Sequence, residues 1–123
     1  MQRTMLKSKI HKATVTDANA EYEGSMTIAE DIMEAADIIE NEKIQVVNIT
    51  NGSRLETYAI KGRRGSGQMI VNGAAAKVMN KGDIVIVLTY MLLPDQEAKE
   101  SVPRIVRLDK NNNIISFVTS DVV

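Results

Sequence analysis

The chain has 123 residues, 44% apolar and 25% charged, with a net charge of −1. That is the composition of one soluble domain with a single core, and its charge gives no electrostatic reason to expect nucleic acid or an anionic membrane as partner. It has no cysteine and one histidine, His11, which excludes disulfides, thiol nucleophiles and thiolate or His-rich metal sites within one chain.

The start, MQRTMLKSKIHK, is basic but lacks a continuous apolar stretch, and no segment approaches the length of a membrane span. A cytoplasmic protein is expected. Residues 3–10 and 12–18 carry short apolar and β-branched alternations and are predicted to be two strands. Turn residues follow around Gly24. Thr27 and Glu30 have the spacing of a capping box, and Ile28, Ile32, Ala35, Ala36 and Ile39 recur at helical spacing. These predict a helix over about 28–38 with Thr27 as its N-cap.

Residues 43–50 alternate again, Asn51-Gly52 is a hairpin signal for a type I′ turn, and residues 54–61 form the return strand. Period-two geometry puts Arg54, Glu56 and Tyr58 on one face and Leu55, Thr57 and Ala59 on the other. A loop at 63–67, a strand at 69–71 and a turn at Asn72-Gly73 come next, then one or two helical turns over 74–79. Residues 84–93 are apolar on both faces and predict a central strand. Pro94 opens a short helix, and residues 105–108 and 114–118 flank a polar turn as a hairpin. Many short strands with brief helices and no linker argue for one mainly β domain over 1–123, a small β-barrel.

Three constellations have the residue types for chemistry. In Gly24-Ser25, a serine follows a residue with no side chain to block its carbonyl and with freedom to hold a strained backbone. Ser25 Oγ can add to the Gly24 carbonyl as the amide nitrogen leaves, giving an ester. Loss of the Ser25 α-proton then expels the Gly24 carboxylate, and the dehydroalanine hydrolyses to a pyruvoyl group. An inert loop has the same two residues. Arg54, Thr57 and Tyr58 offer a bidentate carboxylate grip, a polarising hydroxyl and a proton donor; a plain sheet surface offers them too. Asn72-Gly73-Ala74-Ala75-Ala76 lets backbone N–H groups approach a ligand, or simply turns tightly into a helix. Lys9 and His11 share one face of a strand.

These stretches together resemble the aspartate 1-decarboxylase family, bacterial pyruvoyl enzymes that make β-alanine for pantothenate. The matching pieces include Arg3-Thr4-Met5-Leu6, Lys9-Ile10-His11, Tyr22-Glu23-Gly24-Ser25, Thr50-Asn51-Gly52, Arg54, Thr57-Tyr58-Ala59-Ile60, Asn72-Gly73-Ala74-Ala75-Ala76 and Gly82-Asp83, in family order over roughly residues 1–97. Val47 departs from the pattern, since several members have tryptophan there.

The resemblance implies a six-stranded double-psi β-barrel, a homotetramer with sites between subunits, and self-cleavage into chains 1–24 and 25–123. It implies that Ser25 becomes the pyruvoyl group that forms a Schiff base with L-aspartate, with Gly24 as cleavage partner. Thr57 would assist processing and contact substrate, and Tyr58 would donate the proton. Lys9 and Arg54 would bind carboxylate, and Asn72, Gly73, Ala74 and Ala75 would line the substrate site. His11 is similar to a family histidine that lines the site. No metal and no pyridoxal phosphate are implied. Two other readings compete: a non-catalytic barrel serving as an interaction module, and a pyruvoyl decarboxylase for another amino acid such as glutamate.

Overall fold

Strand β1 (Gln2–Thr14) buries Ser8, Ile10 and Ala13 and leaves Lys9, His11 and Lys12 partly or fully exposed. This is the period-two pattern of a strand with one face on a core. The computed structural model describes residues 1–21 and 23–118; Tyr22 of the Tyr22-Glu23-Gly24-Ser25 motif and residues 119–123 lie outside them. After β1 come β2 (Asp17–Asn19), β3 (Ser25–Ala29), α1 (Glu30–Ala35), β4 (Lys43–Asn48), β5 (Arg54–Gly62) and β6 (Met69–Asn72). A 3₁₀ turn (Gly73–Lys77), β7 (Ile84–Pro94), α2 (Asp95–Glu100), β8 (Arg104–Leu108) and β9 (Ile114–Val118) complete the described chain.

The strands lie in the order β2-β6-β3-β5-β4-β7-β1-β8-β9. Only Val15 and Thr16 separate β1 from β2, so the order closes on itself, and Thr16 N donates to Met69 O at 2.9 Å across the join. The mainly β barrel is thus the one expected. Nine segments stand where six strands are expected, because β1 and β2 make one side of a six-membered ring and the β8–β9 hairpin is appended through the parallel β1–β8 pair. Closure leaves the ring without open edges. Inside it Ile10, Met26, Ile28, Ile44, Met69, Val85 and Val87 are almost fully buried, each contributing roughly 1.5–3 kcal/mol. At one end Asn112, itself buried, accepts from Thr14 N and donates to Thr14 O and Gly67 O, all at 2.8 Å.

Four local expectations are corrected. Residues 3–10 and 12–14 are one strand, bent by a bulge and not broken, with Lys12 at φ 62. The helix predicted over 28–38 is α1 alone; Thr27 and Ile28 are in β3, and the residue preceding the helix is Ala29, with no side-chain cap. Strand pairing on both sides of β3 and burial of Met26 and Ile28 outweigh the capping-box spacing. Glu30 pairs with Lys61 and Arg64 instead. The β4–β5 hairpin forms, but through residues 49–52, with only Gly52 at positive φ (79°), so it is not a type I′ turn. The helical turn predicted over 74–79 begins earlier, at Gly73, whose φ of 71° lets the chain leave β6 abruptly. The central strand at 84–93 is found as β7, between β4 and β1.

Candidate active site

Ser25 begins β3 and Asn72 ends β6, and the antiparallel pairing sets them directly opposite. Both are buried, each 6% exposed. Asn72 Nδ2 donates to Ser25 Oγ and to Thr27 Oγ1, each at 3.1 Å. The Ser25 hydroxyl donates in turn to Glu23 O at 3.4 Å, so it faces back along the backbone that precedes it. Gly24 is exposed, is not at positive φ, and has no atom within 4 Å of where a Cβ would sit. Gly24 is therefore not in the left-handed region, and beyond its chain neighbours no described atom crowds the position of its missing side chain.

Two hollows flank this pair. A cleft of about 690 Å³ is lined by Ser25, Thr27, Tyr58 and Asn72, with Asp17, Glu21 and Glu23 also on its wall. A groove of about 390 Å³ is lined by Gly24, Arg54, Thr57, Asn72, Ala74 and Ala75. Asn72 is common to both. The parallel β3–β5 pair, with Met26 opposite Ala59, brings Thr57 and Tyr58 alongside Ser25. Being consecutive on a strand they face opposite ways, Thr57 into the groove and Tyr58 into the cleft, whereas Arg54, expected on the Tyr58 face, lines the groove with Thr57 at the start of β5. Gly73, expected to line the substrate site, is buried and lines neither hollow.

The two hollows differ in charge. Three carboxylates line the cleft, while the groove has Arg54, which is in no ion pair among the described residues, and one carboxylate, Glu56, which Lys43 pairs at 3.2 Å. An anionic ligand is therefore favoured on the groove side. Val47, across the β4–β5 pair, sits directly opposite Arg54.

Lys9 and His11 line neither hollow. They are on β1, which is hydrogen-bonded to β7 and β8 and not to β3. The chain thus gathers Gly24, Ser25, Arg54, Thr57, Tyr58, Asn72, Ala74 and Ala75 around the two hollows and leaves Lys9 and His11 apart. Thr27 is the site residue that sequence reading missed. A period-two reading of 25–29 would have set it on the Ser25 face, but the capping-box spacing drew it to a helix. Among the described residues no group of three or more His, Asp or Glu is placed to hold a metal ion, and no helix is long and apolar enough to cross a membrane.

The family model described as aspartate decarboxylase matches residues 1–115. The chain belongs to the aspartate decarboxylase family. Similar proteins named aspartate 1-decarboxylase include one from Caldicellulosiruptor saccharolyticus, 60% identical over 113 residues, which are 92% of this chain and 88% of that protein. One from Syntrophomonas wolfei is 57% identical over 114 residues, 93% of this chain and 97% of the relative. One from Thermoanaerobacter pseudethanolicus is 53% identical over 117 residues, 95% of this chain and all of the relative. The match to the aspartate decarboxylase family reaches past residue 97, where the sequence resemblance faded, and takes in β8 and the start of β9.

Proposed function

We propose that this chain cuts itself before Ser25 and then decarboxylates L-aspartate to β-alanine and CO₂, the step that supplies pantothenate biosynthesis. As a member of the aspartate decarboxylase family it is a carboxy-lyase, and autocatalytic cleavage belongs to that family. The observation that carries the reading is the Ser25–Asn72 pair, held at 3.1 Å between a hollow with Tyr58 and a hollow with Arg54.

For processing, Ser25 Oγ adds to the Gly24 carbonyl carbon while the amide nitrogen leaves. The orientation of the hydroxyl toward Glu23 O and the open space at Gly24 support this step. Thr57, in the groove with Gly24, assists it. Elimination of the Gly24 carboxylate leaves a dehydroalanine, which takes up water and releases its nitrogen as ammonia, so the products are chains 1–24 and 25–123, the second beginning with a pyruvoyl group. That group suits the position, because Asn72 stands opposite Ser25 across the β3–β6 pair and its buried amide, whose present acceptor would leave with the Gly24 carboxylate, is a donor close to the carbon that would carry the ketone. When present it supplies an electron-withdrawing carbonyl to the substrate amine.

The residues around it then divide the work. Arg54 holds the carboxylate that is retained, from the groove lined by Asn72, Ala74 and Ala75, with the buried Gly73, between Asn72 and Ala74 in the chain, making the turn that sets them there. The departing carboxylate is left without an equally strong cation, since tight ground-state binding of that charge would raise the barrier. Tyr58, in the cleft with Ser25, delivers the proton that replaces CO₂. The homotetramer with sites between subunits is the assembly that the family resemblance implies, and in it Lys9, remote from these hollows in its own protomer, joins the site from a neighbouring subunit, with His11 beside it. The enzyme is placed in the cytoplasm.

Mass spectrometry of the denatured protein, together with CO₂ release from aspartate and from glutamate, tests the reading. Two fragments meeting between residues 24 and 25 and turnover of aspartate well above glutamate are expected. A single intact chain at full turnover would overturn it, and equal turnover of the two acids would overturn the substrate assignment.

A further inference from the structure

β1 and β8 run parallel, with Lys9 opposite Ile105 and His11 opposite Arg107. Residues paired across neighbouring strands project from the same face. Lys9, His11 and Arg107 therefore share the face turned away from buried Ser8 and Ile10. The strand is distorted at this point. Ile10 pairs with Val87 and Ala13 with Val85, so His11 and Lys12 together oppose the single residue Ile86, and Lys12 is held at φ 62. A bulge of this kind re-aims side chains, and a non-glycine residue in the left-handed region persists only where its surroundings hold it there.

The charges at this face are unbalanced. Lys9, Lys12 and Arg107 are in no ion pair among the described residues. His11 Nδ1 is buried without a hydrogen-bond partner among them. The residues facing His11 from β7, namely Val85, Ile86 and Val87, are apolar and offer no counter-charge. Burial, and then Lys9, Arg107 and Lys12, push the His11 pKa down. Three cations crowd one imidazole, and an anion would relieve all of them at once.

We propose that Arg107 completes a carboxylate-binding cluster with Lys9 and His11, and that this cluster helps hold the carboxylate that aspartate retains. The proposal rests on the reading above for Lys9 as a substrate-side residue and adds Arg107, which neither the sequence motifs nor the two hollows single out. Arginine is the member suited to a bidentate grip, since its planar fork matches a carboxylate where lysine offers a point charge. The retained carboxylate is the ligand because three cations on the departing one would slow its loss.

His11 is the sole histidine, so its ring resonances report this face without ambiguity. The test titrates matured protein with succinate, a dicarboxylate with no amine to react, and separately with inorganic phosphate, following His11 by NMR. The same titrations and aspartate kinetics are run on Arg107→Gln and Arg107→Lys. Succinate is expected to move the His11 resonance saturably and raise its pKa, with phosphate binding several-fold more weakly. Arg107→Gln is expected to weaken succinate about tenfold and to raise KM for aspartate by more than it lowers kcat, with Arg107→Lys recovering part of the loss. Should Arg107→Gln fail to fold, Arg107→Lys and the wild-type titration carry the test. An unmoved His11 resonance, or succinate affinity and KM unchanged in the variants, overturns the proposal; phosphate binding as well as succinate overturns the carboxylate assignment. A chain that neither cleaves nor releases CO₂ would defeat the decarboxylase reading, while the His11 titration would still report on the cluster.

Discussion

The side-chain amide of Asn72 donates to Ser25 Oγ at 3.1 Å across the β3–β6 pair, where the two residues stand in register although 47 positions apart in the chain. The same amide also donates to Thr27 Oγ1. A buried amide with two hydroxyl acceptors is strongly oriented, and the oxygen it points at is the one proposed to attack the Gly24 carbonyl and to leave with the Gly24 carboxylate, the ketone oxygen then coming from water. Ser25→Ala removes that oxygen and keeps Thr27 as an acceptor. The variant is expected to fold, with a stability loss of about 1 kcal/mol, to remain one chain under denaturing mass spectrometry, and to release no CO₂ from aspartate.

Arg54 faces Val47 across the β4–β5 pair and shares its groove with Gly24 and Thr57. Its guanidinium is proposed to grip substrate, not to form the cleavage chemistry. Arg54→Ala should therefore still cleave, and KM for aspartate should rise by roughly 10- to 100-fold, the worth of a hydrogen-bonded charge. Arg54→Lys should fall between. Val47→Trp sets a flat aromatic face beside the guanidinium, where stacking can orient it. KM is then expected to fall by a few-fold without change in the fragment pattern, and steady-state kinetics on the matured variant checks it. A rise in KM instead would mean that the ring blocks the groove.

Tyr58 lies in the cleft with Ser25 but not in the groove with Gly24 and Thr57. That separation makes its expected phenotype distinct from theirs. Tyr58→Phe keeps the ring and loses the phenol proton, so the chain should be cut normally while kcat drops about 10²- to 10⁴-fold, the usual worth of a positioned acid. Thr57→Val should show the reverse order of effects, with accumulation of uncut chain before any loss per cleaved molecule. Comparing fragment ratio with turnover per cleaved chain separates the two.

Local signals foretold the elements whose stability is local. Asn51-Gly52 marked the β4–β5 hairpin, Pro94 the start of α2, and the apolar run at 84–93 the strand at the centre of the sheet. They misled where the barrel overrides them. Thr27 and Glu30 have a helix-start spacing, yet Met26 and Ile28 are worth more as barrel interior, and β3 continues through Ala29. The bulge at His11 and Lys12 was illegible for a similar reason, since it is a mismatch with Ile86 of β7, far along the chain, and not a property of β1. The site was legible as a set of pieces through family resemblance. That Asn72 holds Ser25, that Thr57 and Tyr58 face different hollows, and that Arg107 stands beside His11 depend on long-range register, which one sequence without its partners does not display.

His11 gives the fold a pH dependence whose sign can be worked out. Burial is the largest cause, followed by Lys9, Arg107 and Lys12, and together they hold its pKa below the ordinary 6.5. Between the folded value and 6.5 the unfolded chain binds more protons at this position than the folded chain does, so stability rises with pH across that window. The contribution is whole above the unfolded value and is lost as pH falls through it toward the folded one. Acidification from about pH 7.5 to about pH 5.5 should therefore lower the denaturation midpoint, ahead of the carboxylates, which titrate near pH 4. His11→Gln cannot take up the proton and should flatten this part of the curve. Urea midpoints for both proteins at several pH values across the window check it, and parallel curves would assign the dependence to other groups. The same linkage ties stability to ligand: if a carboxylate binds beside His11, it should raise the histidine pKa and make the midpoint of the ligated protein less sensitive to pH in this range than that of the free protein.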